Sequence, residues 1–187
     1  MAIDLPEQFE LALSNGVKPT ELSEIITHLA FYSGWPNASS AAVAARRVFD
    51  RRGIDASQLP AADPNQRLPL DQTAETARDQ RVSQDFGTVA PGVVQYTRDL
   101  LFRDLWLRPE LAPRDRSLVT VSALVTSGQV AQVTYHLNRA MSNGLTQGEA
   151  SEVLTQLAFY AGWPNVFSAL PVFKEVFAAR ADKAAGK

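Results

Sequence analysis

The chain contains the same nine-residue stretch twice. Residues 29–37 read LAFYSGWPN, and residues 157–165 read LAFYAGWPN. A shift of 128 positions aligns Leu13–Asn37 with Met141–Asn165, and fifteen of these twenty-five positions are identical. Further identities extend the repeated unit to residues 12–52 and 140–180. A repeat of this length predicts a fold in which one supersecondary unit occurs twice.

Each copy has the signals of a helix, a corner and a second helix. Gly34 and Gly162 predict the end of the first helix, and Asn37 and Asn165 are expected to cap the second. Apolar residues at helical spacing line one face of the first helix in both copies: Leu22, Ile25, Ile26 and Leu29, then Val153, Leu154 and Leu157.

The first helix is predicted to begin differently in the two copies. Lys18 is followed by Pro19, and proline is tolerated at the first helical position because its missing N–H would have no partner there. In the second copy, Thr146 and Glu149 have the spacing of a capping box. Both arrangements predict a helix start at the same place in the repeat.

The corner carries three aromatic residues in each copy. We expect them to pack, either in the core or against another subunit, because aromatic side chains mostly serve burial. The alternative is that they line a ligand pocket. They are Phe31, Tyr32 and Trp35, and Phe159, Tyr160 and Trp163.

The residues between the copies divide the chain. Residues 54–71 contain Pro60, Pro64 and Pro69 among polar residues, which indicates a linker. Helical segments are predicted after it, and no segment alternates with the period of a strand, so the chain is expected to be all-α. The predicted helices are 73–86, 93–107, 114–127 and 129–142. The predicted units are a partial module at 1–53, a linker at 54–72 and a complete module at 73–187.

Composition excludes several classes of function. A net charge of −2 and a pI near 5.7 leave no basic stripe for nucleic acid. The absence of cysteine excludes disulfides, thiolate metal sites and cysteine nucleophiles, and two histidines far apart make a metal site unexpected. No window is apolar enough for a membrane helix, so a cytoplasmic location without membrane contact is expected.

The candidate catalytic residues lie on two consecutive predicted helices. At helical spacing, Gln132, His136 and Arg139 share one face, while Arg116 and Thr120 share a face of the preceding helix. If these faces meet, an imidazole, a carboxamide and a guanidinium converge. The alternative is that His136 is an interior histidine with its hydrogen bonds satisfied and Arg116 is a surface partner of nearby aspartates, Asp115 or Asp104.

The other histidine, His28, lies within the first copy. Glu24 precedes it by one turn, and we expect the two to pair on the helix surface. The equivalent of His28 in the second copy is Gln156. Because the same position accepts a residue that cannot ionise, a catalytic role for His28 is not expected.

Two stretches resemble the carboxymuconolactone decarboxylase family, of the all-helical alkylhydroperoxidase D-like superfamily. They are PRDRSLVTVSALV (113–125) and QVTYHLNRAMSNGLTQGEASEVLTQLAFYAGWPN (132–165). The resemblance covers residues 73–180 and, through the repeat, the back half of a second module at 8–53. It implies a helical bundle that forms trimers or hexamers and decarboxylates γ-carboxymuconolactone in aromatic catabolism, without a metal or organic cofactor.

The resemblance also implies site residues. His136 matches the family's histidine and Arg116 its arginine, which suggests general acid/base catalysis by His136 and binding of a small carboxylate substrate by Arg116. Gln132 stands where related decarboxylases often have glutamate, so orientation of the substrate is the role expected for it. Where the first copy should carry the histidine it has Gln8, so this copy is expected to be structural.

Three functions remain open from the sequence. The first is a cofactor-independent decarboxylase acting on a small carboxylated lactone. The second is a non-catalytic helical oligomer, and the third is an isomerase that moves a proton within a similar unsaturated acid. The absence of cysteine excludes the peroxidase activity of the wider superfamily.

Overall fold

The computed structural model describes residues 4–61, 63 and 65–185. Within these ranges the chain is helical and has no strand, so the all-α prediction is confirmed. None of the described helices is both long and apolar enough to cross a membrane. The α-helices are α1 (Leu5–Ser14), α2 (Pro19–Tyr32), α3 (Trp35–Arg52), α4 (Gln72–Phe86), α5 (Pro91–Tyr96), α6 (Pro113–Thr126), α7 (Val130–Ser142), α8 (Gln147–Ala161) and α9 (Trp163–Ala185).

The predicted helix at 93–107 is not continuous. α5 passes into a π-helical turn at Thr97–Phe102, and a separate 3₁₀ turn follows at Leu105–Leu107. The adjacent residues Leu105 and Trp106 are both almost completely buried. Neighbours on a regular helix point about 100° apart, so the irregular turns allow both side chains to enter the core.

The segment predicted as a linker, residues 54–72, contains one short helical turn, Ala56–Gln58, among its described residues. Pro64 of the predicted linker lies outside the described residues. Ile54 and Leu59 pack against a small core formed by Leu22, Ala45 and Phe49 of α2 and α3. The first part of the linker therefore covers the groove between these two helices.

The two corners have the same backbone conformation. Gly34 has φ 87° and ψ 150°, and Gly162 has φ 85° and ψ 149°, a region that other residues rarely adopt. The next helix resumes at once, with tryptophan as its first residue and proline in its first turn.

The prediction that Asn37 and Asn165 cap this second helix was wrong. The helix begins two residues earlier, so both asparagines lie inside its first turn. Their amides instead donate to carbonyls at the end of the preceding helix, Asn37 to Ser33 at 2.7 Å and Asn165 to Ala161 at 3.0 Å. The two predicted helix starts are confirmed. Pro19 is the first residue of α2, and Thr146 and Glu149 form the capping box of α8.

Helix α6 lies at the centre of the bundle. It packs against α2 from the first copy of the repeat and against α7, α8 and α9 from the second. The large apolar core lies among α6, α7, α8 and α9. Contact between α2 and α6 brings the two copies of the repeat to the same central helix.

The repeated helices α2 and α8 have different surroundings along one face. Glu24 and His28 of α2 are buried and Tyr32 is half-buried, whereas the equivalent residues of α8 are exposed. Of the corner aromatics, Phe31, Trp35, Phe159, Tyr160 and Trp163 are also exposed. Only Tyr32 turns toward the interior.

Candidate functional site

Four polar residues are buried where α2 meets α6. Glu24 and His28 are one turn apart on α2, and Arg116 and Thr120 are one turn apart on α6, so each pair projects from a single face. All four are at most 3% exposed. We call Glu24, His28, Arg116 and Thr120 the buried polar cluster.

Arg116 forms an ion pair between the two helices. Its Nη2 donates to Glu24 Oε2 at 2.9 Å and to the main-chain carbonyl of Arg108 at 3.1 Å. The Arg108 guanidinium is also near Glu24, at 3.5 Å. The alternative that Arg116 is a surface partner of aspartate is therefore wrong, because its charge is buried and is balanced by Glu24.

His28 has a defined arrangement of hydrogens. The Thr120 hydroxyl donates to the Arg116 carbonyl at 3.0 Å, so its oxygen accepts from His28 Nε2 at 2.7 Å. Nδ1 is then the acceptor for Arg116 Nη1 at 3.4 Å. Burial, reinforced by the charge of Arg116, lowers the pKa of His28 to about 2, which matches a neutral ring.

The predicted surface pair of His28 and Glu24 was therefore wrong. Both side chains are buried, and the Glu24 carboxylate pairs with Arg116. The expectation followed from helical spacing alone, which shows that two residues share a face but does not show what covers that face. Here α6 covers this face of α2, and the Arg116 guanidinium binds the Glu24 carboxylate in place of His28.

His136 lies among aromatic rings. The Trp106 ring is nearly parallel to it at 5.8 Å between centroids, and Tyr32 and Tyr135 meet it edge-on at 5.5 and 5.0 Å. Trp106 Nε1 donates to the Tyr32 hydroxyl at 2.9 Å, which fixes both rings. Burial raises the pKa of the Tyr32 phenol, so this group stays protonated.

His136 is not an interior histidine with satisfied hydrogen bonds. It is 8% exposed, and its Nδ1 is buried without a hydrogen-bond partner among the described residues. Burial, followed by the nearby charge of Arg139, lowers the pKa of His136 to about 4. The imidazole is therefore neutral near pH 7 and has one nitrogen without a partner.

The structure brings two of the three predicted site residues into one interior region. Tyr32 links them, since its ring is stacked on His28 at 4.8 Å and also meets His136, while His28 contacts Arg116. Gln132, one turn before His136 on α7, is exposed and does not belong to this interior.

A cavity of about 200 Å³ lies beside this region. Trp106, which stacks on His136, is one of its walls, and Arg139, which lowers the pKa of His136, is another. His136 and Arg116 are not among its lining residues. The remaining walls are Leu68, Pro69, Leu70, Asp71, Glu75, Phe102, Leu107, Pro113 and Asn143.

Sequence reasoning missed Glu24, His28, Tyr32 and Trp106. A signal for three of them was available, because Glu24, His28 and Tyr32 follow one another at intervals of four on α2. The repeat obscured it, since the equivalent residues of α8, Glu152, Gln156 and Tyr160, have the same spacing on an exposed face. Within the described part of the chain, no group of three histidine, aspartate or glutamate side chains is placed to hold a metal ion.

Replacement of Glu24 by glutamine should destabilise the protein strongly. It removes the charge that balances buried Arg116, and breaking such a pair costs about 3 kcal/mol or more in the free energy of unfolding. The matched control is Glu152→Gln at the equivalent, exposed position of α8, with an expected cost below about 0.5 kcal/mol. Urea unfolding followed by circular dichroism measures both. Equal effects in the two variants would show that the ion pair does not stabilise the fold.

Stability should also fall as the pH is lowered below the pKa of an unfolded histidine. Both histidines have folded pKa values below the ordinary 6.5, so the unfolded chain binds more protons. From about pH 7 to about pH 5.5 the free energy of unfolding should drop by about 2.5 kcal/mol, and by about half of that in His28→Gln. Urea titrations at several pH values test this, and an unchanged slope in the variant would contradict it.

A family model and two known proteins match this chain. The model of the carboxymuconolactone decarboxylase family matches residues 8–47 and 91–175. A 4-carboxymuconolactone decarboxylase of Acinetobacter baylyi is 35% identical over 74 residues, which is 40% of this chain and 55% of that protein. Nitrosuccinic acid decarboxylase of Metarhizium robertsii is 29% identical over 79 residues, 42% of this chain and 55% of that protein.

The chain spans about half the length of these curated relatives. Both are named as decarboxylases, and the family match covers both copies of the repeat. The buried polar cluster takes one half from each matched segment, with Glu24 and His28 in the first and Arg116 and Thr120 in the second. The chain belongs to the carboxymuconolactone decarboxylase family.

Proposed function

We propose that the protein is a cofactor-independent decarboxylase acting on a small carboxylated lactone of the γ-carboxymuconolactone type. The observation that carries this proposal is the state of His136, a neutral imidazole with a free nitrogen in a nearly closed aromatic setting. Such a group is suited to proton transfer in a site with little water. The two relatives named as decarboxylases support this class of reaction.

The chemistry fits the groups that are present. The bond from the ring carbon to the carboxylate breaks, carbon dioxide leaves, and the electron pair moves into the unsaturated lactone as an enolate. A proton then adds to carbon, so one proton is consumed for each carbon dioxide released. His136 is neutral in the empty protein, and a bound anion raises its pKa and favours the imidazolium that donates this proton.

The roles expected for Arg116 and Gln132 differ in their structural support. Glu24 already balances the charge of Arg116, so a substrate carboxylate reaches this guanidinium only by displacing Glu24. We assign Arg116 chiefly to positioning, because it holds His28 and α2 in place. Gln132 is exposed one turn from His136, where it could orient a substrate from the surface side.

Replacement of His136 by glutamine should lower the rate of carbon dioxide release from a carboxylated lactone by about 100-fold or more, because the proton donor is removed. The control is Thr134→Ala, an exposed position on the same helix, which should keep its activity. Carbon dioxide release across a panel of carboxylated lactones measures the effect. A wild-type protein no faster than His136→Gln on every lactone would exclude this function.

Two other functions are separated by the same assay. A non-catalytic helical oligomer is favoured by the fact that Arg116 is already paired and by the lack of an ionisable group at Gln132. It predicts no turnover in the panel. An isomerase would convert an unsaturated acid to a rearranged acid of the same mass without release of carbon dioxide, and proton NMR of the reaction mixture detects the rearranged product.

We also propose that the protein forms a homo-oligomer, a trimer or hexamer, through an apolar face of α8 and α9. Large side chains are exposed there beside a groove of about 690 Å³, and exposed patches of this kind are typical of protein interfaces. The face is formed by Phe159, Tyr160, Trp163, Phe167 and Leu170.

The double substitution of Phe159 and Trp163 by serine should shift the protein from oligomer to monomer, because it removes the two aromatic rings at the corner of this face. Val89→Ser is the control, since Val89 is also an exposed apolar residue but lies elsewhere on the chain. Analytical ultracentrifugation measures the mass in solution. An unchanged oligomer in the double variant, or a monomeric wild type, would contradict the proposal.

A further inference from the structure

Arg139, which is half-buried, differs from the buried Arg116 in its charge balance. Arg116 has Glu24, whereas no carboxylate of the described residues lies within ion-pairing distance of Arg139. Its Nη1 makes a long hydrogen bond of 3.4 Å to the Tyr135 hydroxyl, and its Nε is buried without a partner. A half-buried guanidinium with a free N–H group is an unusual and costly arrangement.

Aromatic rings hold this guanidinium in place. Its central carbon lies 4.2 Å from the centroid of the Trp106 ring and 5.6 Å from that of Phe102. Contact with ring faces offsets part of the cost of burial and leaves the hydrogen-bond donors at the edge of the guanidinium free. Arg139 is thus positioned without being neutralised.

Arg139 is one of the residues that line the cavity of about 200 Å³ described above. Two carboxylates line the same cavity, but neither is available to Arg139. Glu75 is held by Arg78 through two hydrogen bonds of 2.8 Å and by Arg103 at 3.4 Å. Asp71 is exposed, and its side chain caps α4 through Ala74.

The rest of the cavity wall is mostly apolar. Leu68, Pro69 and Leu70 come from the segment before α4, and Phe102 and Leu107 come from the irregular turns after α5. A water molecule takes up about 30 Å³ in the liquid, so this volume admits a small acid. Arg139 is the cationic residue of this wall, it has no carboxylate partner among the described residues, and a placed charged group beside apolar side chains orients a ligand by its charged end.

We propose that this cavity binds a small carboxylic acid, whose carboxylate pairs with Arg139 and whose apolar body lies against Trp106 and Phe102. The site rests on the proposed function for the identity of the acid. It deepens that function by requiring a substrate with two carboxylates, one that leaves as carbon dioxide and one that is retained and pairs with Arg139. It leaves the Arg116 pair intact. His136 does not line the cavity, but it stacks on Trp106, which is one of the cavity walls.

The test measures binding of furan-2-carboxylate, a small unsaturated ring acid. Trp106 serves as the reporter in a chain in which the exposed Trp35 and Trp163 are replaced by phenylalanine. The acid should change the Trp106 emission in a saturable manner. Arg139→Gln should weaken binding by about 10- to 100-fold, the range expected for loss of hydrogen bonds to a charged group. The uncharged amide, furan-2-carboxamide, should bind more weakly than the acid by a similar factor.

The matched control is Arg114→Gln. Arg114 is exposed and pairs with Asp115 and Glu149 on the surface, so its removal should leave binding unchanged. Equal affinity of Arg139→Gln and the parent chain, equal affinity of acid and amide, or no saturable signal at all would overturn the proposal.

A second measurement decides the matter if Arg139→Gln does not fold. In the wild-type protein, furan-2-carboxylate should shift the NMR resonances of the Arg139 Nε–H and the Trp106 indole N–H together, and the absence of both shifts would overturn the site. Binding that depends on Arg139 in a protein without turnover would leave the site standing and remove the decarboxylase. Turnover that is unchanged in Arg139→Gln would support the decarboxylase and exclude this binding site.

Discussion

The ion pair between Arg116 and Glu24 determines how the two halves of the chain fit together. Both charges are buried, and each would be very costly without the other. A slip of α2 by one turn along α6 would separate them, so the pair permits one register. That register also sets His28 against Thr120 and brings Tyr32 to Trp106 and His136. The order of the interior therefore depends on this contact between the two copies.

The repeat shows how one local sequence serves two environments. Helix–corner–helix geometry follows from residues within each copy, and the glycines at both corners have nearly the same backbone angles. Whether the equivalent faces of α2 and α8 are buried depends on which other elements pack against them. Tyr32 is held by the Trp106 indole, whereas the equivalent Tyr160 is 51% exposed. Identical sequence therefore gives the same corner in both copies, while the elements packed against each copy decide which side chains are buried.

The same distinction explains what could be predicted from the sequence. Helix starts, ends and the all-α class depend on neighbours in the chain, and these predictions were largely confirmed. The sequence placed Arg116 and His136 on two helix faces that converge if they meet, and left open whether Arg116 is at the surface. The partner of Arg116 could not be predicted, because helical spacing relates residues within one helix and Glu24 lies 92 residues away in the chain. The predicted continuous helix at 93–107 failed for a similar reason, since tertiary burial of Leu105 and Trp106 outweighed local preference.

The two arginines of the interior, Arg116 and Arg139, differ in whether a carboxylate balances their charge. Glu24 pairs with Arg116, so this residue holds the two helices together and is already partnered before any anion binds. Arg139 has no such partner among the described residues, and its field reaches His136, whose pKa it helps to lower. An anion that neutralised Arg139 would remove this effect and make the imidazole a stronger base. If the proposed acid binds at Arg139, its binding and the protonation of His136 are coupled, and the coupling requires that Arg139 remain unpaired in the empty protein.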